Sequence, residues 1–296
     1  MDRFIDSHNH LHGFSWDDWE LQAMAGLAGC VLSCGNPHVH REIWEAVPGP
    51  EEVRRFWDSP IRFARAAEEK HFVRVRCAVG VSAMTRVRSW EKLVDALPGY
   101  LEDPRVVALG EVGLDPGQYF GFTWPLEDQA RCLEAQARVA ARLGKPLILH
   151  TPTPKRSGDF LGGVATQGEV PPEAFRLHYL REDLEILDRA GLDPGLLVID
   201  HVDETIVDFV HAETRAWCAV SLGSVLRRPS PERVAEWVKR HGPDRILLNS
   251  DLIPYTSNDP LCIPRAIRAM RRAGVPEAHV RRVAFENANE LFGMGL

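Results

Sequence analysis

Two histidines spaced two residues apart, His8 and His10, stand near the start of the sequence and could bind one metal ion. The apolar pair Phe4-Ile5 before them predicts the start of a strand. Because side chains alternate between the two faces of a strand, His8 and His10 point to the same side, together with Asp6. Two imidazoles on one side of a strand end can reach the same ion. A polar segment that holds histidines by chance would show the same pattern, so the interpretation depends on further ligands elsewhere in the chain.

Further candidate ligands stand where later apolar segments end, each just after a predicted strand. These are Glu111 after the fourth predicted strand, His150 after the fifth, His201 after the sixth and Asp251 after the eighth. A single histidine at the end of a buried strand is more often a hydrogen-bonded core residue than a ligand, but a whole set of ligand-type residues at strand ends is not explained in this way. Other histidines fall in or beside predicted helices, namely His71, His211, His241 and His279. This separation supports a metal site at the strand ends.

Imidazole and carboxylate ligands without thiolate suit Zn²⁺, Mn²⁺ or a similar divalent ion, and they do not suit an iron–sulfur cluster or copper(I). The candidates outnumber the four ligands of a tetrahedral zinc site, which predicts two divalent ions that share a bridging carboxylate. A structural zinc site is the alternative. The lack of cysteine among the candidate ligands disfavours it.

These residues require a fold that brings the ends of separate strands together. Eight short apolar segments alternate with helical patterns along the 296 residues. The segments are near-continuous apolar runs, as expected of strands buried on both faces of a parallel sheet. The alternation predicts a single (β/α)8 TIM barrel that spans residues 1–296 as one domain, with the active site at the carboxyl ends of the strands. A doubly wound open sheet is the alternative, but no Gly-x-Gly-x-x-Gly motif follows any strand.

The composition restricts the possible partners. The formal net charge of −7 argues against an extensive nucleic-acid-binding surface but leaves room for a small pocket that binds an anionic group. No cationic N-terminal segment precedes an apolar core, and no run of about 18 apolar residues occurs, so we expect a cytoplasmic protein without a membrane partner. The six cysteines include no Cys-x-x-Cys pair, and we expect buried free thiols.

The chain resembles the amidohydrolase superfamily, and its TatD-like branch in particular, in one set of residues: His8-Asn9-His10, Gly110-Glu111-Val112-Gly113-Leu114-Asp115, His150, His201 and Asp251. That branch has a glutamate on strand four, where other amidohydrolases have a carboxylated lysine. The resemblance is closer still to a group of TatD-related predicted metal-dependent hydrolases with a TIM-barrel fold. Their pattern is matched by His150-Thr151-Pro152, Val198-Ile199-Asp200-His201-Val202, Leu248-Asn249-Ser250-Asp251 and Glu286-Asn287-Ala288.

This resemblance implies how the ligands are shared between two ions, which the residues alone do not decide. The implied sets are His8, His10 and Asp251 for one ion, His150 and His201 for the second, and Glu111 as the bridge. Asp251 and Glu111 would then be the catalytic residues, with Asp251 moving the proton. Asp6 lies deeper on the same face of its strand, and we expect it to orient an imidazole from behind the ligands.

Two departures from TatD-like deoxyribonucleases concern the substrate. Asn249-Ser250-Asp251 replaces the usual Glu-Thr-Asp, and Thr151-Pro152 replaces Ser-Arg after the histidine of strand five. The closer group has a basic cluster after His-Thr-Pro, which Lys155 and Arg156 match here. These two residues either contact a phosphate or carboxylate of the substrate or lie at a solvated loop tip.

Two loops complete the predicted substrate side. The Pro- and Gly-rich segment 151–171 is long for a loop of a compact domain and is expected to cover the mouth of the barrel. His38 belongs to a second His-x-His pair, with His40, in a predicted loop. It either contacts the substrate or forms part of the polar rim.

The residues and the resemblance together favour a metal-dependent hydrolase. A metal-activated water would attack a phosphoester bond of an anionic substrate, either a small molecule or an oligonucleotide. Hydrolysis of an amide or lactone, as elsewhere in the superfamily, is the alternative. A non-catalytic metal-binding scaffold is a third interpretation, which the presence of Asp251 as a candidate general base disfavours.

Overall fold

The computed structural model describes residues 2–34, 47–117, 124–154, 170–223, 229–253 and 258–296. His38, Lys155 and Arg156, three predicted substrate contacts, lie outside the described residues. Most of the predicted covering segment 151–171 also lies outside them.

Strands and helices alternate along the chain as the apolar pattern predicts. The strands are β1 (Phe4–Asn9), β2 (Leu27–Ser33), β3 (Arg74–Val79), β4 (Val106–Val112), β5 (Leu147–Leu149), β6 (Leu197–Ile199), β7 (Trp217–Ser221) and β8 (Ile246–Asn249). The helices are α1 (Trp16–Ala25), α2 (Pro50–His71), α3 (Glu91–Leu101), α4 (Leu126–Leu143), α5 (Pro172–Arg189), α6 (Val207–Glu213), α7 (Pro231–His241), α8 (Cys262–Arg272), α9 (Glu277–Arg281) and α10 (Asn287–Leu291), with one π-helical turn, Arg282–Glu286, between the last two.

The strands form one eight-stranded sheet in the order β1-β2-β3-β4-β5-β6-β7-β8. The pairs β1–β2, β4–β5, β5–β6 and β7–β8 are parallel. Sequential order in a parallel sheet, with a helix between successive strands, is the (β/α)8 arrangement. The predicted single TIM barrel is confirmed.

The chain divides into two compact units. The first unit comprises Met1–Ser33, Pro60–Cys77 and Asp200–Leu296, and the second comprises Cys34–Ser59 and Ala78–Ile199. That residues 1–296 act as one domain stays a prediction.

In the first unit, β1 and β2 are covered on both of their faces. Every residue of β1 and of β2 is buried, as expected of parallel strands that carry helices on one side and core on the other. Helix α1 begins with a capping box, in which the Ser15 hydroxyl accepts from the Asp18 N–H at 3.3 Å and the Asp18 carboxylate accepts from the Ser15 N–H at 3.1 Å. The cap fixes where the chain turns back after the polar end of β1.

The second unit is built in the same way around α4. This helix ends at Gly144, which has a φ of 59°, the left-handed conformation that the predicted helix end requires. Two buried glutamines on its inner face bond to backbone groups. One of them, Gln136, accepts from the Val81 N–H at 2.7 Å and donates to the Val81 carbonyl at 3.2 Å. The helix is thereby tied to the loop after β3.

One strand boundary differs from the predicted one in a way that matters for the site. Strand β4 continues to Val112, so Glu111 lies within the strand and not after it. Strand β8 ends at Asn249, so Asp251 is a loop residue just past that strand.

All six cysteines are free and buried, which confirms the prediction of buried thiols. Among the described residues, none of the helices has the length and apolar character that a membrane crossing requires.

Candidate metal centre

In the first unit, the ends of β1 and β8 bring three predicted ligands together. The Nε2 atoms of His8 and His10 lie 3.4 Å apart. Asp251 Oδ1 lies 3.5 Å from His10 Nε2 and 4.0 Å from His8 Nε2. All three side chains are buried, and one ligand atom from each lies within 4.8 Å of the others. This spacing suits three ligands of a single ion.

Backbone hydrogen bonds fix this cluster by joining the two strand ends. The Asp251 N–H donates to the His8 carbonyl at 3.0 Å, and the His10 N–H donates to the Leu252 carbonyl at 3.2 Å. Asp251 adopts a φ of 44° and His201, just past β6, a φ of 57°. A left-handed conformation is costly for a residue with a side chain and persists where the surroundings enforce it, as they do in many functional sites.

His201 lies beside His8, with 5.7 Å between the ring centroids. Its Nδ1 atom lies 2.8 Å from the Ser221 hydroxyl at the end of β7. His8, Asp200 and His201 each offer a ligand atom within 4.8 Å of the other two. His201 Nδ1 also lies 3.9 Å from Asp251 Oδ2, so the fourth predicted ligand of the first unit is adjacent to His8 and Asp251.

Asp200 is a buried carboxylate beside these ligands, and the sequence pattern assigned it no role of its own. Its fully buried carboxylate contacts His8 Nδ1 through Oδ2. Its Oδ1 accepts three further hydrogen bonds: from the His201 N–H at 2.7 Å, the Asn249 amide at 2.8 Å and the Ser221 hydroxyl at 3.2 Å. The signal available in the sequence was a charged residue directly after the apolar run of β6, next to a candidate ligand.

Asp6 is buried and bonds to residues beside the predicted ligands. Its carboxylate accepts from the Ser250 N–H at 2.9 Å, from the Ser250 hydroxyl and, at 3.3 Å, from the His8 N–H. Burial raises the pKa of Asp6 to about 6, although these hydrogen bonds oppose the shift. Asp6 therefore holds the backbone beside two ligands. That Asp6 orients an imidazole stays a prediction, and on His8 it is the Asp200 carboxylate that contacts Nδ1.

In the second unit, Glu111 and His150 lie together at the ends of β4 and β5. His150 Nδ1 is 2.8 Å from Glu111 Oε1, and His150 Nε2 is 3.1 Å from Asp115 Oδ2. Burial alone would lower the pKa of His150, but Glu111 and Asp115 outweigh it and raise the pKa to about 9. An imidazole between two carboxylates marks a position that favours positive charge, as a cation-binding site must.

The two glycines of the segment Gly110–Asp115 are required because a side chain at either position would clash with its neighbours. A Cβ at Gly110 would lie 2.7 Å from Ile148 Cβ, and one at Gly113 would lie 2.8 Å from the His150 carbonyl oxygen. Both glycines have positive φ values that residues with a side chain rarely adopt, 149° and 147°. They let β4 approach β5 closely, and the His150 N–H then donates to the Val112 carbonyl at 2.7 Å. The motif thereby holds His150 against Glu111.

Two polar side chains of the helices support this second cluster. Gln129 of α4 accepts from the Asp115 N–H and donates to the Asp115 carbonyl, both at 2.8 Å. Buried Arg176 of α5 donates to the Thr151 carbonyl at 3.1 Å, to the Thr151 hydroxyl at 2.7 Å and to the Thr153 hydroxyl at 2.8 Å. The sequence pointed to basic residues in the loop after His150. Among the described residues, Arg176 of helix α5 is a cation at the start of that loop.

The donor chemistry of both clusters fits a divalent metal. The groups are imidazoles and carboxylates, the donors of catalytic zinc and manganese sites. His8 has its Nδ1 held by a carboxylate, the arrangement that fixes the tautomer of a metal-binding histidine and leaves Nε2 for the ion. The described residues therefore could hold metal in the first unit through His8, His10 and Asp251.

Comparison with known proteins agrees with this chemistry. The family model described as TatD related DNase matches residues 5–293. A protein of Methanocaldococcus jannaschii named as an uncharacterized metal-dependent hydrolase is 27% identical over 288 residues, which cover 97% of this chain and 99% of that protein. N-acetyltaurine hydrolase of Mus musculus is 32% identical over 131 residues, 43% of this chain and 30% of that enzyme.

A solved structure has the same fold. The crystal structure of the TatD-like protein from Archaeoglobus fulgidus superposes with a TM-score of 0.69 at 23% identity, covering 98% of this chain and 100% of that chain. Since the family model spans nearly the whole chain and the relatives named above are hydrolases, the chain belongs to the TatD-related DNase family and is a metal-dependent hydrolase.

Proposed function

We propose that this hydrolase cleaves phosphoester bonds of an anionic substrate, using two divalent ions held by the strand-end residues. The observation that carries the proposal is the convergence of His8, His10 and Asp251, whose ligand atoms lie within 4.8 Å of one another. A buried group of two imidazoles and one carboxylate has no simple structural purpose in an apolar barrel.

The proposed ligands are those that the resemblance implies: His8, His10 and Asp251 for one ion, His150 and His201 for the second, and Glu111 as the bridge. Two observations support this set. Each residue lies at or just past the carboxyl end of its strand, and in a parallel sheet those ends share one edge. The pair Glu111–His150 is also held together at 2.8 Å.

Bound divalent ions would lower the pKa of a coordinated water to about 7 and polarise the scissile bond. The protein's own contribution is the positioning of Asp251. Its carboxylate accepts the proton of the attacking water and returns it to the leaving group, the role of a general acid–base. The strained loop conformation at φ 44° and the Asp251 N–H bond to the His8 carbonyl hold that carboxylate in place.

Two lines support a phosphoester. The family is described as TatD related DNase, and a DNase acts on phosphodiesters. The second unit carries a buried cation, Arg176, which donates a hydrogen bond to Thr151, the residue after His150. We therefore propose a small-molecule or oligonucleotide substrate with a phosphate group.

Amide hydrolysis is the second candidate function. It is favoured by the similarity to N-acetyltaurine hydrolase of Mus musculus, which is 32% identical over 43% of this chain. A planar amide and a tetrahedral phosphate diester make different demands on the same centre, so one substrate panel separates them.

The test combines metal analysis and a substrate panel. Purified protein should hold up to two transition-metal ions per chain by elemental analysis, and Glu111→Gln should reduce this content. Protein loaded separately with Zn²⁺, Mn²⁺ and Mg²⁺ is then assayed on bis-p-nitrophenyl phosphate, p-nitrophenyl phosphate, N-acetyltaurine and a lactone.

Cleavage of a phosphate ester at the highest kcat/KM of the panel supports the proposal. Preference for N-acetyltaurine would replace the phosphoester by an amide. Full metal content without turnover of any of the four compounds would favour a non-catalytic scaffold, and full occupancy in Glu111→Gln would remove Glu111 from the ligand set.

A further inference from the structure

Asp115 is a buried carboxylate of the second unit that the proposed ligand set leaves without a role. It is the last residue of the segment Gly110–Asp115, and its Oδ2 atom lies 3.1 Å from Nε2 of His150, a predicted ligand. Burying a carboxylate costs free energy unless its oxygens accept hydrogen bonds. The contacts of the two carboxylate oxygens therefore indicate what Asp115 does.

The two ring nitrogens of His150 face different carboxylates. Nδ1 lies 2.8 Å from Glu111 Oε1, and Nε2 lies 3.1 Å from Asp115 Oδ2. A histidine binds a metal ion through one nitrogen, and the other nitrogen usually donates its proton to a carboxylate, a carbonyl or water. One of the two carboxylates therefore lies on the metal side of the ring, and the other lies behind it.

Asp115 is held in place by its own loop and by helix α4. Its Oδ1 atom accepts from the Gly117 N–H at 2.7 Å, which closes a turn within the loop. Gln129 accepts from the Asp115 N–H and donates to the Asp115 carbonyl, both at 2.8 Å. The backbone and one carboxylate oxygen are thus bonded to the protein, while Oδ2 faces His150. A carboxylate anchored in this way suits the group behind the ring.

Asp200 in the first unit divides its two oxygens in the same way. Its Oδ1 accepts from the N–H of His201, the next residue, at 2.7 Å, and its Oδ2 contacts His8 Nδ1. In both aspartates a backbone N–H one or two residues further along the chain anchors Oδ1, and Oδ2 is presented to an imidazole. The ring nitrogen that is contacted differs: it is Nδ1 in His8 and Nε2 in His150.

We propose that Asp115 is a positioning residue that accepts the Nε2–H of His150 and thereby leaves Nδ1 of that ring for the metal ion. The Glu111 carboxylate, 2.8 Å from Nδ1, then lies on the side of the ring that faces the ion, as a bridging ligand requires. This inference rests on the ligand set proposed above, in which His150 binds an ion. It adds which nitrogen binds the ion and which residue fixes that choice.

The first measurement is metal affinity, by competition with a chromophoric chelator, on the full-length protein loaded with Zn²⁺. Asp115→Asn is compared with the wild type, because asparagine keeps an oxygen for the Gly117 N–H and places an amide donor opposite His150 Nε2. Asp95→Asn, at an exposed position of α3 in the same unit, is the control for the loss of one negative charge. Circular dichroism confirms that each variant is folded.

The second measurement needs no change at Asp115. Long-range proton–nitrogen NMR spectra of the zinc-loaded protein, with isotope-labelled histidine, show which ring nitrogen carries a proton. The signals of His150 are identified by their absence in His150→Ala. A residue that only stabilises the loop would not determine where this proton lies.

We expect Asp115→Asn to lower the affinity for one ion by about 10–100-fold, the usual effect of losing a group behind a metal-binding histidine. His150 of the wild type should carry its proton on Nε2. The signal of this proton should move upfield in Asp115→Asn, because an amide replaces a charged acceptor. Asp95→Asn should match the wild type in both measurements.

A His150 proton on Nδ1 in the zinc-loaded wild type would overturn the proposal, and so would an unchanged metal affinity in Asp115→Asn. A lower affinity with an unmoved Nε2 proton would also overturn it, since Asp115 would then only stabilise the loop. Wild-type metal content in His150→Ala would remove His150 from the ligand set and this proposal with it. The substrate panel is separate: a preference for N-acetyltaurine would refute the phosphoester and leave the role of Asp115 unchanged.

Discussion

The Asp200 carboxylate contacts Nδ1 of His8, although the two residues are 192 positions apart in the chain. The contact is buried on both sides. It leaves the His8 Nε2 atom facing His10 and Asp251, at 3.4 and 4.0 Å. The same carboxylate accepts from the His201 N–H and from Ser221, whose hydroxyl also contacts the His201 ring. One side chain therefore fixes the orientation of two predicted ligands.

Asp200→Asn should lower metal affinity by about 10–100-fold, the usual effect of losing a carboxylate behind a metal-binding histidine. Asparagine keeps the shape, but its amide offers the imidazole a donor in place of an acceptor. Competition with a chromophoric chelator measures the change, and Asp208→Asn on the exposed face of α6 is the control. If saturating metal restores the wild-type number of ions per chain, Asp200 positions the ligand. Loss of one ion at saturation would make Asp200 a ligand itself.

Asp251→Asn should reduce kcat by about 10²–10⁴-fold, the contribution of a positioned acid–base group. The substitution keeps the size and one coordinating oxygen but removes the basic carboxylate 3.5 Å from His10 Nε2. The rate is measured at increasing Mn²⁺ or Zn²⁺, with metal content followed in parallel. Recovery of near wild-type kcat at high metal would leave Asp251 as a ligand without a role in proton transfer.

The sequence predicted the fold and the positions of the strand-end residues because both follow from local patterns. An apolar run of four to seven residues predicts a buried strand, and a polar ligand-type residue after it predicts the mouth of a barrel. The histidine pair of β1 shows the strength of this reasoning. Alternation alone placed His8 and His10 on one side, and their Nε2 atoms lie 3.4 Å apart.

The missed features depend on contacts between distant parts of the chain. Asp200 follows an apolar run and precedes a histidine, but nothing near it in sequence shows that it meets His8. Arg176 looks like an ordinary helix residue until the packing of α5 buries it against Thr151. The end of β4 was misplaced because Val112 continues to pair with Leu149 beyond the last apolar run.

Gly113→Ala should destabilise the protein by about 2–4 kcal/mol, from steric overlap and backbone strain together. The new methyl group would lie 2.8 Å from the His150 carbonyl oxygen, at a φ of 147°. Urea denaturation measures the loss. Gly144→Ala is the matched control, because Gly144 also has a positive φ, 59°, but a Cβ there meets no atom within 4 Å. Equal effects of the two substitutions would show that the approach of β4 to β5 is not tightly constrained.

The stability of the first unit should depend on pH through His211, whose ring stacks on that of His241 with 4.4 Å between centroids. Burial above all, together with the nearby His241, Arg245 and Arg240, lowers the pKa of His211 from 6.5 to about 4. The Asp208 carboxylate opposes this shift. Between pH 6.5 and 4 the unfolded chain binds a proton that the folded protein does not, so the free energy of unfolding falls as the pH decreases through this window. The ring is only partly buried and solvent screens it, so its contribution to the free energy of unfolding is reduced to about 1 kcal/mol.

His211→Gln should therefore lose less stability than the wild type between pH 7 and pH 4 in urea denaturation. His178→Gln, on the exposed face of α5, is the control. Parallel stability curves for the wild type and His211→Gln would show that the stacked pair does not exclude the proton.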